Sequence, residues 1–141
     1  MNKATWLTSR AEQIYKKEFN QAEQDLREAI KIAPTYFEAY LLLSLIYRET
    51  AAYEEAIRVL DEAPTTVEHF GIEDEVLTLI NQIRVCWGFV STYSLLGEYD
   101  KASKYAHAGL DTLSNSTEAN LERARRQMDL DAAEEAFKTF I

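Results

Sequence analysis

The sequence predicts an all-α fold, and two of its features carry this prediction. Only four glycines and two prolines occur in 141 residues, so few positions interrupt a helix. Apolar residues also recur at intervals of three and four along most of the chain, which is the periodicity of helices that pack on one side. At this length we expect a single domain over residues 1–141.

The apolar pattern predicts four helices in the first half of the chain, over residues 4–16, 20–32, 36–48 and 53–62. Pro34 and Pro64 mark the ends of the second and the fourth, because proline lacks a backbone donor and does not continue a helix. The third helix carries apolar side chains around most of its circumference. Such a helix is buried on several sides or offers an apolar surface to a ligand.

The second half is predicted to hold one irregular segment and then three helices, over residues 73–96, 99–113 and 116–140. In the irregular segment 65–72, Thr65 and Glu68 have the spacing of a capping box and indicate a short helical turn. Gly97 suits the left-handed residue that ends a helix. The last helix is mostly charged and has a narrow apolar stripe, so we expect it to dock by one face.

Self-comparison of the sequence finds one short pattern three times, an aromatic residue followed three positions later by alanine. The copies are Phe19/Ala22, Tyr53/Ala56 and Tyr99/Ala102. The first two lie 34 residues apart and the third lies 46 residues further on, which indicates an insertion of 12 residues. An alanine at this position lets a partner helix cross at an axis distance of about 8–10 Å.

Around these anchors the chain resembles tetratricopeptide repeats, which are helix–turn–helix units of about 34 residues. The second unit matches best, and its family positions hold Tyr40, Leu43, Ser44, Tyr47, Tyr53, Ala56, Leu60 and Ala63. Trp6 takes the tryptophan position in the first unit, and Cys86 replaces it in the third. The resemblance implies an α-α superhelix of about three units, over residues 3–36, 37–70 and 83–116, with an insertion at 71–82 and a capping helix at 116–140.

The resemblance also implies a concave groove, lined mainly by the first helix of each unit. We expect it to be formed by Glu38, Leu41, Leu42, Leu45, Arg48 and Glu49, then by Arg84, Trp87, Ser91, Ser94 and Leu95. Leu7, Ala11 and Ile14 are the candidates in the first unit. Such a groove is mostly apolar and suits an amphipathic helix or an extended apolar peptide. In the alternative, the long fifth helix or the last helix folds over the groove and fills it.

These features predict a protein–protein interaction scaffold, as an adaptor or a small chaperone. A second hypothesis is a homodimerising module of a larger complex, and a weaker one is a ligand receptor or an enzyme. The inserted segment is strongly apolar between Val76 and Ile83. It either packs on Phe70 and Ile72 or forms a dimer or partner contact, and we expect the packing within the chain.

Charge and hydropathy narrow the class of partner. A net charge of −9 argues against nucleic acids and anionic membranes, which bind basic surfaces. The longest apolar stretch, residues 40–47, is too short to span a bilayer, and we expect a soluble protein of the cytoplasm. The clamp of Lys, Asn and Arg with which some repeats of this family hold chaperone C-termini is missing, so that partner class is not expected.

The sequence contains little that indicates chemistry. Cys86 is the single cysteine, which excludes an intrachain disulfide, and its apolar surroundings predict a small buried side chain. The two histidines, His69 and His107, belong to no catalytic or metal-binding motif. The basic cluster at residues 123–126 is expected to pair with acids one turn away, such as Glu122 with Arg126. We therefore expect no enzyme activity, no cofactor and no metal.

Overall fold

The computed structural model describes residues 2–141 and confirms the all-α class. It divides into two compact units, a first that ends at Pro64 and a second that runs from Thr65 to Ile141. Eight helices occur in the described residues, mostly within one or two residues of the bounds that the apolar pattern predicts. The single domain expected over residues 1–141 stays a prediction.

The first unit consists of two helix–turn–helix pairs, α1 Lys3–Ile14 with α2 Phe19–Ile32, and α3 Phe37–Glu49 with α4 Tyr53–Glu62. Helix α3 also packs against α2 and α1. The apolar core between them includes Leu7, Leu26, Leu43, Ile46, Tyr47 and Val59. The alanines of the repeated anchors, Ala22 and Ala56, are fully buried here, as their role in close helix crossings predicts.

The turns after α3 and in the second unit before Tyr99 have the same geometry. Ala51 has a φ of 63° and Gly97 a φ of 76°, so both are left-handed residues just after a helix. The next amide donates back across the turn, from Ala52 to the Tyr47 carbonyl at 2.8 Å and from Glu98 to that of Tyr93 at 2.9 Å. The left-handed conformation predicted for Gly97 is confirmed.

The second unit contains a short hairpin and four helices. The strands are β1 Glu68–His69 and β2 Ile72–Glu73, and the helices are α5 Glu75–Leu95, α6 Tyr99–Ser114, α7 Glu118–Arg125 and α8 Leu130–Lys138. Helices α5 and α6 form a pair, α7 packs on α5, and α8 packs on α6 and α5. Ala102, the third anchor alanine, is fully buried in this pair.

The helical turn predicted for residues 65–72 is wrong, since the segment forms the β1–β2 hairpin. Side chains of α5 hold its base. Thr78 Oγ1 accepts a hydrogen bond from the Val67 amide at 3.0 Å, and Asn81 Nδ2 donates to the Thr65 carbonyl at 3.3 Å. These bonds satisfy backbone groups that a helical turn would otherwise pair locally.

The single capping helix predicted for residues 116–140 is also wrong, because the chain breaks it into α7 and α8. Asp129 is the N-cap of α8, and its Oδ1 accepts a hydrogen bond from the Ala132 amide at 3.0 Å. The break lets α8 turn back onto α6, where Phe137 is fully buried. An aspartate before an apolar residue is a helix-start signal, and it marks this break in the sequence.

The inserted part of α5 is buried within the second unit. Leu79, Ile80 and Ile83 belong to its core, together with residues of α6, α7 and α8. The expected packing within the chain is thus confirmed, but the expected contact with Phe70 and Ile72 is wrong. Those two side chains are 106% and 74% exposed.

Candidate functional site

The candidate surface in the first unit is one side of α3. Leu41, Leu45 and Arg48 follow each other at intervals of four and three residues, so they form one stripe, and all three are half-buried. Leu43 and Ile46 occupy the opposite side and are 1% and 0% exposed. The core of the unit therefore uses one side of α3 and leaves the stripe Leu41–Leu45–Arg48, here called the α3 stripe, partly open to solvent.

Leu42, another predicted groove residue on α3, lies between the two sides. It is half-buried and packs against the core of the first unit. We therefore assign it a mixed role, with part of its side chain in the core and part at the edge of the α3 stripe.

Arg48 is the polar member of the stripe. Its Nη1 is buried and makes no hydrogen bond to any residue between 2 and 141. Burial lowers the pKa of Arg48, and the neighbouring Glu49 carboxylate acts in the opposite direction. An unpaired buried donor is costly, so an acceptor brought to this atom would stabilise the protein.

Two of the groove candidates on α1 are wrong. Leu7 is 2% exposed and Ala11 is 0% exposed, because α1 packs against both α2 and α3 and turns these side chains into the core. Ile14 is half-buried and contacts the same core. In the first unit the predicted groove residues that remain partly open to solvent therefore lie on α3, with the exception of Ile14.

Other predicted groove residues lie on α5 in the second unit. Arg84 and Ser91 are half-buried, and Trp87 is 39% exposed. The Trp87 ring meets the rings of Phe137 and Phe140 edge-on, with centroid distances of 6.2 and 6.0 Å. Helix α8 therefore covers part of the α5 face that the sequence predicts to be a groove.

Comparison with known families agrees with the repeat that the sequence predicts. Residues 13–68 match the family model of the tetratricopeptide repeat. This match supports assignment of the segment to the tetratricopeptide repeat family. The match takes in α2, α3 and α4 and thus the α3 stripe. Repeats of this family generally mediate protein–protein interaction. A comparison with curated proteins gave no match.

Within the tetratricopeptide repeat segment, Tyr47 joins α3 to α2. This side chain is 3% exposed, and its hydroxyl donates to Glu23 Oε2 and accepts from Arg27 Nη2. The Arg27 guanidinium also lies 5.7 Å from the centre of the Tyr47 ring. Burial, reinforced by the bond to Glu23, raises the pKa of Tyr47 to about 12.

Replacing Tyr47 by Phe is expected to destabilise the protein by about 1–2 kcal/mol at neutral pH, since Glu23 and Arg27 lose a shared partner. The folded protein holds the phenol proton more tightly than the unfolded chain, whose ordinary value is 10. The advantage of the wild type over the variant is therefore complete below pH 10 and is lost as pH rises through about 12. Urea unfolding of both proteins at pH 7, 10 and 11 measures this difference. A constant difference would contradict the assignment.

A second polar connection joins α1 to α2. Asp25 is 2% exposed and accepts hydrogen bonds from Arg10 Nε at 2.7 Å and from Gln21 Nε2 at 2.9 Å. The Arg10 bond holds the pKa of Asp25 below its usual range. The same guanidinium lies 4.6 Å from the centre of the Trp6 ring. Arg10 is therefore engaged in holding the first helix pair together.

The surroundings of Cys86 and His69 determine what their reactive groups can do. Burial raises the pKa of the half-buried Cys86 thiol to about 11, so the thiol stays protonated at neutral pH. His69 Nε2 lies 3.4 Å from an Asp74 carboxylate oxygen. In the described part of the chain, no three His, Cys, Asp or Glu side chains group as metal ligands, and no helix has the length and hydropathy of a bilayer span.

The expected ion pair between Glu122 and Arg126 is wrong. Glu122 pairs with Arg125 instead, with 3.0 Å between Oε1 and Nη1. Arg125 also lies within 3.4 Å of a Glu118 oxygen and within 3.7 Å of an Asp131 oxygen. These acids neutralise Arg125, the last residue of α7.

Proposed function

We propose that this protein is a protein–protein interaction module whose α3 stripe binds an apolar peptide or helix of its partner. The observation that carries the proposal is the side of α3 that the core leaves half-buried, with two leucines and an arginine whose Nη1 makes no hydrogen bond within the described residues. It lies in a tetratricopeptide repeat segment, and such repeats generally bind proteins. A role as an adaptor or small chaperone in the cytoplasm is part of this proposal.

The residues of the stripe supply two kinds of contact. Leu41 and Leu45 offer apolar surface one helical turn apart, the spacing of anchor residues on an amphipathic helix. Complete burial of such a side chain contributes about 1.5–3 kcal/mol, so even partial burial of both gives measurable affinity. The half-buried guanidinium of Arg48 is a donor for a main-chain carbonyl or a carboxylate of the peptide, which would fix the position of the peptide along the stripe.

Leu45→Asp is expected to weaken partner binding at least about 30-fold, because it places a charge where an apolar side chain is buried in the complex. Its helical circular dichroism and melting temperature should remain near wild type. Partners are first identified by pull-down and mass spectrometry from the native host, and affinity is then measured by titration calorimetry with the purified partner.

Leu96→Asp is the matched control, since Leu96 is an exposed leucine of the second unit outside the predicted groove. It should bind like wild type. If Leu45→Asp unfolds the protein, Leu45 belongs to the core and the proposed surface is wrong. If both variants bind normally, the partner uses another surface.

A homodimerising module is the second candidate function. It is favoured by the exposed apolar side chains around the α5–α6 turn, where Leu95 is 57% and Tyr99 67% exposed. Sedimentation velocity at several protein concentrations separates the two functions. A monomer at all concentrations would contradict dimerisation and leave the interaction with a different partner.

A further inference from the structure

The hairpin of residues 68–73 displays the two most exposed large apolar side chains in the described part of the chain. Phe70 is 106% exposed and Ile72 is 74% exposed. The base of the hairpin is fixed, since the Asp74 amide donates to the Val67 carbonyl at 2.6 Å and Asp74 also caps α5. The apolar tip is thus held in water on an ordered base.

The conformation of the tip is unfavourable for the residue that occupies it. Phe70 has a φ of 54° and Gly71 a φ of 80°, so this two-residue turn has positive φ at both central positions. Asparagine or aspartate followed by glycine is the usual choice in such a turn, and a bulky residue at positive φ is strained. No contact within the chain compensates for this strain, because the Phe70 ring is fully exposed.

The charges at the hairpin are also unfavourable in isolation. Glu68 and Glu73 lie directly opposite each other in the strand register, and like charges in that position repel. Both are exposed, and neither forms an ion pair with a described residue. His69 lies on β1, and its Nε2 is 3.4 Å from the carboxylate of Asp74, the residue that follows β2. The apolar tip is therefore flanked by two unneutralised carboxylates.

We propose that the hairpin is a docking element, which inserts Phe70 into an apolar pocket rimmed by lysine or arginine on a partner protein. Phe70 fills the pocket, and the basic rim neutralises Glu68 and Glu73. The fixed base lowers the entropy lost on binding. A second copy of this chain is a poor occupant, because it carries the same acidic hairpin and a net charge of −9. This site is separate from the α3 stripe and does not depend on it.

Site-specific photocrosslinking tests the proposal. The photoreactive amino acid p-benzoylphenylalanine replaces Phe70 in the full chain, and a matched variant carries it at Tyr99, another exposed aromatic position of the second unit. Both are irradiated in an extract of the native host. We expect an adduct specific to position 70, mapped by mass spectrometry to a partner segment that contains lysine or arginine. The double variant Glu68→Lys/Glu73→Lys should remove it.

Three results would overturn the proposal: the same adducts from positions 70 and 99, an adduct that survives the charge reversal, or an adduct with a second copy of this chain. A competition experiment with unlabelled protein tests the same contact. Unlabelled wild-type protein should suppress the adduct, whereas Phe70→Asn should not. Because asparagine tolerates positive φ, Phe70→Asn should melt at the wild-type temperature or slightly above. A lower melting temperature would assign Phe70 a structural role and contradict the proposal.

Discussion

Phe137→Ala is expected to destabilise the second unit by about 3–5 kcal/mol, the range for removing a buried aromatic ring. Phe137 is fully buried although α8 begins only seven residues before it. Its ring packs so closely on α6 that a Cβ added at Gly109 would lie 2.5 Å from two ring atoms. It also meets Trp87 edge-on. The alanine variant leaves a cavity and removes the main contact that attaches α8.

Urea unfolding followed by tryptophan fluorescence measures this effect. Trp87 contacts the α8 rings and should report their loss, whereas Trp6 lies in the first unit. Phe140→Ala is the matched control, since Phe140 also contacts Trp87 but is only half-buried, and we expect about half the loss or less. Equal losses for the two variants would contradict the assignment of Phe137 as the residue that seats α8.

The parts of the fold that follow from local pattern could be predicted from the sequence. The anchor alanines Ala22, Ala56 and Ala102 are all fully buried, because close helix crossing needs a small residue there wherever the unit occurs. Gly97 is left-handed because the turn requires it. The sequence signal for each of these features lies within about one helical turn, and the repeated unit brings the same helix crossing with it at each copy.

Tertiary contacts determine two elements that the local sequence pattern does not predict, the β1–β2 hairpin and the break between α7 and α8. The segment before α5 forms a hairpin because Thr78 and Asn81, eleven and sixteen residues beyond their partners, bind its backbone. The last helix breaks because α8 gains more by burying Phe137 on α6 than by continuing α7. Asp129 signals that break locally, but a charged helix with a continuous apolar stripe fits the same residues.

In the candidate site, too, the sequence predicts the exposure of some residues and not of others. The α3 stripe could be predicted, because Leu41 and Leu45 fall outside the positions that the repeat uses for packing and the structure leaves both half-buried. Leu7 and Ala11 occupy comparable positions on α1 yet are buried, since the neighbouring helices cover that side of α1. The exposure of Phe70 had no signal in the apolar pattern, because periodicity does not separate a projecting apolar residue from a packed one.

Leu43→Ala and Leu45→Ala make the same chemical change on two sides of α3. We expect the first to lower mainly the stability of the fold and the second to lower mainly the affinity for the partner. Leu43 is 1% exposed and lies in the core of the first unit, so its truncation is expected to cost about 2–5 kcal/mol of unfolding free energy. Leu45 is half-buried, and we expect its truncation to cost about 1 kcal/mol or less. Urea midpoints at constant slope give both values.

For partner affinity we expect the larger loss in Leu45→Ala and the smaller loss in Leu43→Ala. Leu45→Ala removes apolar contact surface and should weaken binding about tenfold, whereas Leu43→Ala should bind like wild type at temperatures where it remains folded. The comparison separates the two roles because the substitutions delete identical atoms and differ only in the side of the helix. Equal stability losses would place Leu45 in the core, and equal affinities would remove the α3 stripe from the binding surface. A stability loss confined to Leu43 with an affinity loss confined to Leu45 is the result that the proposed function requires.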